Sequence, residues 1–588
     1  MTPQNGFPAG GTARSGASWS ALLALIALLA LIALFALRGA ASGQEQIGGA
    51  QTATAHDGMV VAQEPLAARV GVDILKRGGN AVDAAVAVGF AMAVTYPRAG
   101  NIGGGGFMVI HRANGDNATI DYRETAPAAI TATSFLEAQG NADPEKSRNS
   151  ALAIGVPGTV AGLALAEAKY GSGRFTLADL IAPAITLARD GFAVSATTLP
   201  PPPFAASRLA RFPSSAKIFL KPDGSAPSIG DRLVQSDLAN SLEALAKGGP
   251  RAFYEGPTAE KIAGAVQAAG GVMSADDLKQ YRAVERAPVR GSYRGYDIVS
   301  MPPPSSGGVE LIEMLNILEG YDLAHDDPAQ QAFLMVEAMK RAYADRAFYL
   351  GDPSTVDNPV TRLTAKNYAA QWRATIDPTH ATPASMIHTG GSVGGEGRNT
   401  THFSVVDRFG NAVSNTYTLN FSYGVGLVAE GTGILLNNEL DDFAAKPGSP
   451  NAYGLVGFSA NAPGPGKRPL SSMTPTIVLK DGKPFLITGS PGGSRIITTV
   501  LQIVVNVIDR GMDIGGAVSA PRIHNQWVPD QVYAEPNVPD NVVATLRARG
   551  DKVVPQRPFT SANSILITPD GFAGAADPRE GGALAVGY

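Results

Sequence analysis

The stretch TTHFSVVDRFGNAVSNTYTLN, residues 400–420, decides the fold. Apolar and polar side chains alternate on both sides of residues 408–410, which is the pattern of two antiparallel strands joined by a short turn. A second hairpin is predicted around the Asp-Gly pair at residues 481–482, because this dipeptide is a strong turn signal. Apolar residues then recur at helical spacing through residues 495–508. This mixture predicts antiparallel sheets with helices packed on their faces.

Toward the N-terminus, the sequence reads as a succession of Gly- and Ala-rich helices from residue 64 to about residue 350. Residues 65–77 end in glycines that stop a helix, and residues 81–94 form an apolar segment typical of a buried helix. Thr176 is a predicted N-cap, and residues 309–320 repeat apolar side chains at helical spacing.

The composition excludes several kinds of chemistry. The chain has 588 residues, no Cys, and 47 Lys and Arg against 51 Asp and Glu. Without a thiol there can be no Cys nucleophile, no Cys-ligated zinc and no iron–sulfur cluster. The seven histidines form no closely spaced metal-binding pair, and the net charge of −4 favours neither nucleic acid nor an anionic membrane. We therefore expect no cofactor, no metal and no nucleic-acid partner.

The N-terminus carries an export signal. Residues 21–37 are an uncharged apolar run that follows Arg14 and precedes small residues at 39–42. Residues 1–42 are therefore interpreted as a signal peptide, with an uncleaved signal anchor as the alternative. Either interpretation predicts an exported protein, periplasmic or secreted, and a membrane contact is expected only through this leader if it stays uncleaved.

Two short motifs give no function. Residues 390–394 match G-x-S-x-G, but they lie in a glycine-rich loop rather than between a strand and a helix, so the match is taken as chance. The glycine run at residues 103–106 does not fit the dinucleotide-binding pattern G-x-G-x-x-G.

A threonine at the start of the first hairpin is the candidate nucleophile. The Gly-rich loop at residues 389–399 leads directly into Thr400 and Thr401. A threonine hydroxyl needs an adjacent base, and a terminal α-amine with a pKa near 7.7–8.0 can be that base. Cleavage before Thr400 would place nucleophile and base on one residue. Spacing alone leaves the alternative that both threonines are ordinary strand residues.

Several motifs in one order resemble a known family. They are the run AGNIGGGGFMVI, then DYRETAP, the 400–420 stretch, NNELDDF, RPLSSMTPT, GSPGGSRI and the terminal ADPREGGALAVGY. Together they resemble the gamma-glutamyltransferase (gamma-glutamyl transpeptidase) family of N-terminal nucleophile hydrolases, from about residue 53 onward. The resemblance implies an α+β fold, a four-layer αββα sandwich. It also implies self-cleavage between Asn399 and Thr400 into a large subunit, residues 43–399, and a small catalytic subunit, residues 400–588, which stay together as a heterodimer.

The resemblance assigns the catalytic roles. Thr400 is implied as the nucleophile of both self-cleavage and turnover, in preference to Thr401, and Thr418 is implied to hold its hydroxyl. Gly492 and Gly493 are implied to stabilise the oxyanion with their backbone N–H groups, which fits their place between a strand and a helix.

The resemblance also assigns the substrate contacts. Arg123 is implied to bind the glutamyl carboxylate as a bidentate fork, with hydroxyls from Ser471 and Ser472. The acceptors implied for the substrate ammonium are Asn420, Glu439 and Asp442. Residues 444–457 resemble a lid loop, with Tyr453 as its gate.

The expected function is that of a self-processing enzyme. It cleaves glutathione and other γ-glutamyl amides through a threonine acyl-enzyme and transfers the glutamyl group to water, amino acids or peptides. One alternative is an amidase of the same fold that resembles cephalosporin or glutaryl acylases; Asp442 and the lid argue against it, because the glutaryl group has no α-amine. A catalytically silent exported binding protein is the other alternative.

Overall fold

The structure is a computed structural model that describes residues 48–198, 204–388, 400–558 and 560–588. The leader, the loop at residues 389–399 and Asn399 lie outside the described residues. Among the helices of the described ranges, none combines the length and the apolarity that crossing a membrane requires.

Most of the strands belong to two large antiparallel sheets. Within the described residues the strands are β1 (Gln51–Ala55), β2 (Gly58–Ala62), β3 (Gly105–His111), β4 (Asn117–Asp121), β5 (Phe192–Ala193), β6 (Arg232–Leu233), β7 (Val284–Arg286), β8 (Val289–Tyr293), β9 (Tyr296–Ser300), β10 (Thr401–Asp407), β11 (Ala412–Thr418), β12 (Val428–Ala429), β13 (Ile434–Leu435), β14 (Thr476–Lys480), β15 (Lys483–Thr488), β16 (Ile523–His524), β17 (Val532–Ala534), β18 (Val553–Pro555), β19 (Asn563–Thr568), β20 (Gly571–Ala576) and β21 (Leu584–Gly587). One sheet has the order β21-β2-β10-β11-β3-β4-β7, and the other has the order β1-β20-β19-β15-β14-β9-β8.

Helices cover the outer faces of both sheets. The helices of the described residues are α1 (Pro65–Lys76), α2 (Ala81–Thr95), α3 (Pro144–Arg148), α4 (Thr159–Tyr170), α5 (Leu177–Asp190), α6 (Phe204–Ala210), α7 (Pro213–Phe219), α8 (Ser236–Gly248), α9 (Arg251–Tyr254), α10 (Pro257–Ala268), α11 (Ala275–Gln280), α12 (Gly307–Leu318), α13 (Pro328–Tyr349), α14 (Val360–Leu363), α15 (Lys366–Arg373), α16 (Ala384–Ile387), α17 (Arg495–Ile508), α18 (Ile514–Ser519) and α19 (Asp540–Ala548). Short 3₁₀ turns lie at Ala151–Ala153, Glu439–Asp442 and Ser459–Asn461.

The side chains of the central strands divide between two cores. On β3, Phe107 and Val109 pack into the layer between the two sheets, whereas Met108 and Ile110 pack against the outer helices. This alternation follows from the period of two in a strand. A third core joins the other sheet to α12, α13 and α17. The result is helix, sheet, sheet, helix, so the predicted four-layer αββα sandwich is confirmed.

The two predicted hairpins are present. β10 and β11 pair in antiparallel register, with Thr401 opposite Tyr417. In the second hairpin, Asp481 and Gly482 have φ values of 51° and 73°, as the type I′ turn between β14 and β15 requires. The predicted N-cap is also confirmed, since Thr176 forms a reciprocal capping box with Asp179.

The N-terminal half is less helical than its sequence predicts. Strand β3 begins within the glycine run at residues 103–106 and is followed by β4, and β7 to β9 lie before α12. The prediction of continuous helices to about residue 350 was wrong here because β3 is buried on both faces. A strand of this kind is an unbroken apolar run, which periodicity cannot distinguish from a buried helix.

Candidate active site

One pocket brings together most of the predicted site residues. It is lined by Thr400, Asn420, Glu439, Asp442, Tyr453, Ser471, Ser472 and Gly493, together with Leu455, Met473 and Ile496. The other three predicted residues of the described chain, Arg123, Thr418 and Gly492, are not part of this lining. These residues come from the start of β10, the end of β11, the loops that follow and the approach to α17. Residues far apart in sequence therefore meet at one end of the two sheets.

The structure distinguishes the two adjacent threonines. Thr400 lines the pocket immediately before β10 begins, and it is 5% exposed. Thr401 is fully buried, is absent from the lining, and its hydroxyl has no hydrogen-bond partner among the described residues. Only Thr400 is therefore placed to attack a group bound in this pocket.

Thr418 lies opposite Thr400 on the neighbouring strand. The register that pairs Thr401 with Tyr417 continues by one residue to this pair. The Thr418 hydroxyl accepts a hydrogen bond of 2.9 Å from the Asn420 N–H. The segment that leads into β3 approaches closely on its other side, because a Cβ on Gly104 would collide with the Thr418 carbonyl oxygen. The glycine run thus fixes Thr418 in place.

Two glycines in the left-handed region precede α17. Gly492 has φ 131° and Gly493 has φ 56°, values that L side chains rarely adopt. Among the described residues, neither glycine N–H donates a hydrogen bond to the protein. Gly493 lines the pocket, whereas a Cβ on Gly492 would contact the Thr560 methyl group at 2.6 Å. The N-terminus of a 14-residue helix and unpaired N–H groups are suited to stabilise an oxyanion.

Arg123 forms an ion-pair cluster with two of the predicted acceptors. Its guanidinium donates to Glu439 and, at 2.5 Å, to Asp442, and its Nε donates to the Pro469 carbonyl at 3.1 Å. The side chain is fully buried, and burial opposes its charge, but the carboxylates outweigh burial and raise the pKa of Arg123. The residues predicted to bind the substrate's carboxylate and its ammonium are therefore paired with each other here.

Burial disfavours the charged form of the acidic side chains in this cluster. Burial raises the pKa of Glu439 well above its usual range, although Arg123 opposes the rise. Burial likewise raises the pKa of Glu124 to about 8. The two Glu124 carboxylate oxygens are buried without a hydrogen-bond partner among the described residues, 4.0 Å from Arg123 at the nearest.

Ser471 and Ser472 are held by groups that the sequence analysis missed. The Ser471 carbonyl accepts from the Ser306 N–H and hydroxyl, both at 2.9 Å. Arg346 on α13 donates to Ser306 at 3.1 Å and to the Ser472 hydroxyl at 3.4 Å, and it pairs with Glu310 at 3.5 Å. Ser306 and Arg346 thus position the two serines.

The sequence feature that could have indicated Arg346 is the cluster of charged residues around it. The segment KRAYADR, residues 340–346, places four charged side chains at buried positions of one long helix. A helix with charges on several faces either lies at the surface or has buried partners, and periodicity alone does not decide between them.

The predicted lid is closed over the pocket. The Tyr453 hydroxyl donates to the Asn420 carbonyl at 2.8 Å and lies 2.7 Å from its side-chain oxygen, while its ring lies over Gly493. Asp442 accepts from Asn451 at 3.0 Å, and Asp441 accepts from the Ala452 N–H at 2.9 Å. The remaining cavity is about 20 Å³, which has room for little more than one water molecule, so the lid has to open before a substrate enters.

No group of three or more His, Asp or Glu side chains within the described ranges is arranged to hold a metal ion. The chemistry that the pocket supports is acyl transfer: a hydroxyl nucleophile, unpaired N–H donors and paired charges for a zwitterionic substrate.

Comparisons with known proteins agree with this arrangement. A family model described as gamma-glutamyltranspeptidase matches residues 67–587. The glutathione hydrolase proenzyme of Escherichia coli (strain K12) is 52% identical over 538 residues, which cover 91% of this chain and 92% of that protein.

Two solved structures resemble the fold. The cephalosporin acylase from Bacillus halodurans has a TM-score of 0.80 at 28% identity, covering 93% of this chain and 98% of the other. The gamma-glutamyltranspeptidase of Helicobacter pylori has a TM-score of 0.53 at 45% identity, covering 55% of this chain and 93% of the other.

Proposed function

Because this chain belongs to the gamma-glutamyltranspeptidase family, we propose that it cleaves glutathione and other γ-glutamyl amides with Thr400 as the nucleophile. The observation that carries the proposal is the single pocket that joins Thr400 to Asp442, Ser471 and Gly493 and excludes Thr401. A nucleophile, an oxyanion donor and groups of both charges are the parts that this reaction needs.

The first chemical step is attack by Thr400 on the γ-amide carbonyl. The Thr400 hydroxyl oxygen bonds to the carbonyl carbon while its proton passes to the terminal α-amine of the same residue. The tetrahedral oxyanion accepts from the N–H groups of Gly492 and Gly493. The C–N bond then breaks, the amine proton passes to the leaving nitrogen, and an ester on Thr400 remains. Water or an amino group attacks this ester and releases the glutamyl group.

Substrate binding exchanges partners within the Arg123 cluster. The glutamyl α-carboxylate accepts hydrogen bonds from the Arg123 guanidinium and from the hydroxyls of Ser471 and Ser472. The α-ammonium donates to Asp442, Glu439 and Asn420. A zwitterion supplies one charge of each sign, so the exchange leaves the net charge of the buried cluster unchanged. A buried charge left without a partner would be costly, which disfavours substrates that lack either group.

The free amine on Thr400 requires self-cleavage after Asn399. The same hydroxyl attacks the preceding peptide carbonyl, and hydrolysis of the resulting ester yields residues 43–399 and residues 400–588 as two subunits. Strands from both parts alternate in one sheet, in which β10 and β11 lie between β2 and β3, so the two subunits remain associated.

The nucleophile is tested by paired threonine variants. Thr400→Ala is expected to remain one folded chain without activity, because it lacks the attacking oxygen. Thr401→Val is the control: the Thr401 hydroxyl is buried and unpaired, so the variant is expected to be processed and active. Normal processing in Thr400→Ala, seen on a denaturing gel, would refute the assignment.

The same-fold acylase is the second candidate, favoured by the likeness to the Bacillus halodurans cephalosporin acylase. A γ-glutamyl anilide and a glutaryl anilide differ only in the α-amine. The Asp442 carboxylate beside Arg123 predicts turnover of the glutamyl compound and at least about tenfold less turnover of the glutaryl one. Equal or reversed rates would favour the acylase.

Residues 1–42 are proposed to direct export, supported by their charge and hydropathy pattern. Fractionation of cells that express the full chain, followed by N-terminal sequencing, distinguishes a cleaved signal from a retained anchor. Recovery of the whole chain from the cytoplasm with Met1 intact would contradict export.

A further inference from the structure

A guanidinium with no acidic partner lies next to the gate of the pocket. Arg208, on α6, is half-buried and donates to the Gly424 carbonyl at 2.6 Å and to the Asn149 side-chain oxygen at 3.3 Å. Among the described residues it forms no ion pair, and its two hydrogen bonds leave three of its five N–H groups without a partner. An arginine in such a position has unused capacity to bind an anion.

Aromatic contacts connect Arg208 to the gate. Its guanidinium carbon lies 4.8 Å from the centroid of the Phe421 ring. That ring packs edge-on against Tyr453, with centroids 6.4 Å apart, and it is half-exposed. Tyr453 in turn covers Gly493. Arg208 therefore lies one aromatic ring away from Tyr453, and both Arg208 and Phe421 are partly exposed to solvent.

The surroundings of Arg208 are electrostatically unfavourable for a cation. Burial, and then the charge of Arg211, lower the pKa of Arg208 to about 10, and Tyr453 and then Glu145 oppose the change to a smaller extent. Arg211 donates to the Asn149 carbonyl at 3.0 Å and likewise has no carboxylate partner in the described chain. A third arginine, Arg148, donates to the Pro450 carbonyl of the lid, but its charge is paired with Asp441. An anion bound at Arg208 would relieve this excess of positive charge.

We infer that Arg208, stacked on Phe421, binds the C-terminal carboxylate of the peptide leaving group, and by the same contact the carboxylate of a peptide acceptor. The inference rests on the proposed function, in which the glutamyl half of the substrate fills the inner pocket and the other half leaves past Tyr453. In glutathione that other half is a dipeptide, which spans about 7 Å when extended. A guanidinium that contacts the face of an aromatic ring can still donate its remaining N–H groups to a carboxylate.

The carboxylate is tested by changing the substrate. Glutathione and its C-terminal amide differ only in the proposed ligand of Arg208, and a γ-glutamyl anilide lacks the dipeptide altogether. The wild-type enzyme is expected to prefer glutathione to its amide by about tenfold in kcat/KM, the size of one charge-assisted hydrogen bond. Equal rates for the acid and the amide would overturn the inference.

Three variants locate the effect. In Arg208→Met the preference for the acid is expected to fall to near one, and Arg208→Lys is expected to retain part of it because the charge remains. Arg211→Met is the matched control, since its guanidinium is exposed and stacks on Phe212 instead of Phe421, and it should keep most of the preference. An unchanged preference in Arg208→Met, or an equal loss in Arg211→Met, would overturn the assignment. Wild-type turnover of the anilide reports on the proposed function separately, because it does not involve Arg208.

Discussion

Replacement of Gly493 by alanine tests the geometry of the oxyanion site. With φ at 56°, an alanine here costs about 1–2 kcal/mol in backbone strain. The added Cβ would also lie 2.7 Å from Cγ of Tyr453 and closer still to Cδ1 and Cε1. Either the gate ring leaves its place, which breaks its hydrogen bonds to Asn420, or the Gly493 N–H turns away from the pocket.

The expected result is a large loss of turnover. Loss of one oxyanion donor lowers kcat by about 100–1000-fold, and overpacking adds about 1–3 kcal/mol of instability. The kcat for a γ-glutamyl anilide and the thermal midpoint measure the two effects. Gly511→Ala is the control, because Gly511 has φ 60° and an added Cβ there meets no atom within 4 Å. Gly511→Ala should show the backbone strain without a steric collision, so the thermal midpoint should fall while kcat stays unchanged.

A double variant separates the two causes. Tyr453→Ala combined with Gly493→Ala removes the collision, so turnover should recover in part if displacement of the ring is what turns the Gly493 N–H. A Gly493→Ala single variant whose kcat stays within about threefold of the Gly511→Ala control would refute the oxyanion role, since the loss of such a donor costs far more.

Three further perturbations test the surrounding contacts. Thr418→Val removes the hydroxyl opposite Thr400 and should lower kcat about tenfold, whereas Thr418→Ser should restore it; equal kcat values for the two variants would contradict the role of this hydroxyl. Arg346→Lys keeps the charge beside Glu310 but loses the fork to Ser306 and Ser472, so KM for the γ-glutamyl anilide should rise about tenfold with little change in kcat; an unchanged KM would contradict the positioning role. Glu124 holds its proton more tightly in the folded state, so wild-type stability should fall as pH rises from 4.5 to about 8. Glu124→Gln is expected to remove this pH-dependent fall in stability, which amounts to up to about 5 kcal/mol. The variant should therefore gain in thermal midpoint over the wild type as the pH rises from 5 to 9. A difference in thermal midpoint that does not grow over this range would contradict the raised pKa of Glu124.

The hairpins and the large helices were predictable because their signals are local. The alternation in residues 400–420 and the Asp-Gly turn at 481–482 each depend only on neighbouring residues. Strand β3 was missed because it is buried on both faces, which removes the alternation.

The site was predictable only to the extent that motifs mark it. The pocket contains Thr400, Asp442 and Gly493 as the family resemblance implies, but nothing local indicates that Arg123 pairs with the acceptors predicted for the substrate ammonium. Arg346 and Arg208 were missed for the same reason. Their partners, such as Ser472 and Phe421, are more than one hundred residues away in the chain, and only the folded structure brings them together.

The most direct test of the central claim is to trap the acyl-enzyme and identify the residue that carries it. Purified wild-type protein is mixed with a γ-glutamyl anilide, quenched in acid, digested and sequenced by mass spectrometry. The account predicts one γ-glutamyl group in ester linkage on a peptide whose first residue is Thr400, with a free α-amine. An active chain that is not cut before Thr400, or a glutamyl group on any other residue, would contradict it.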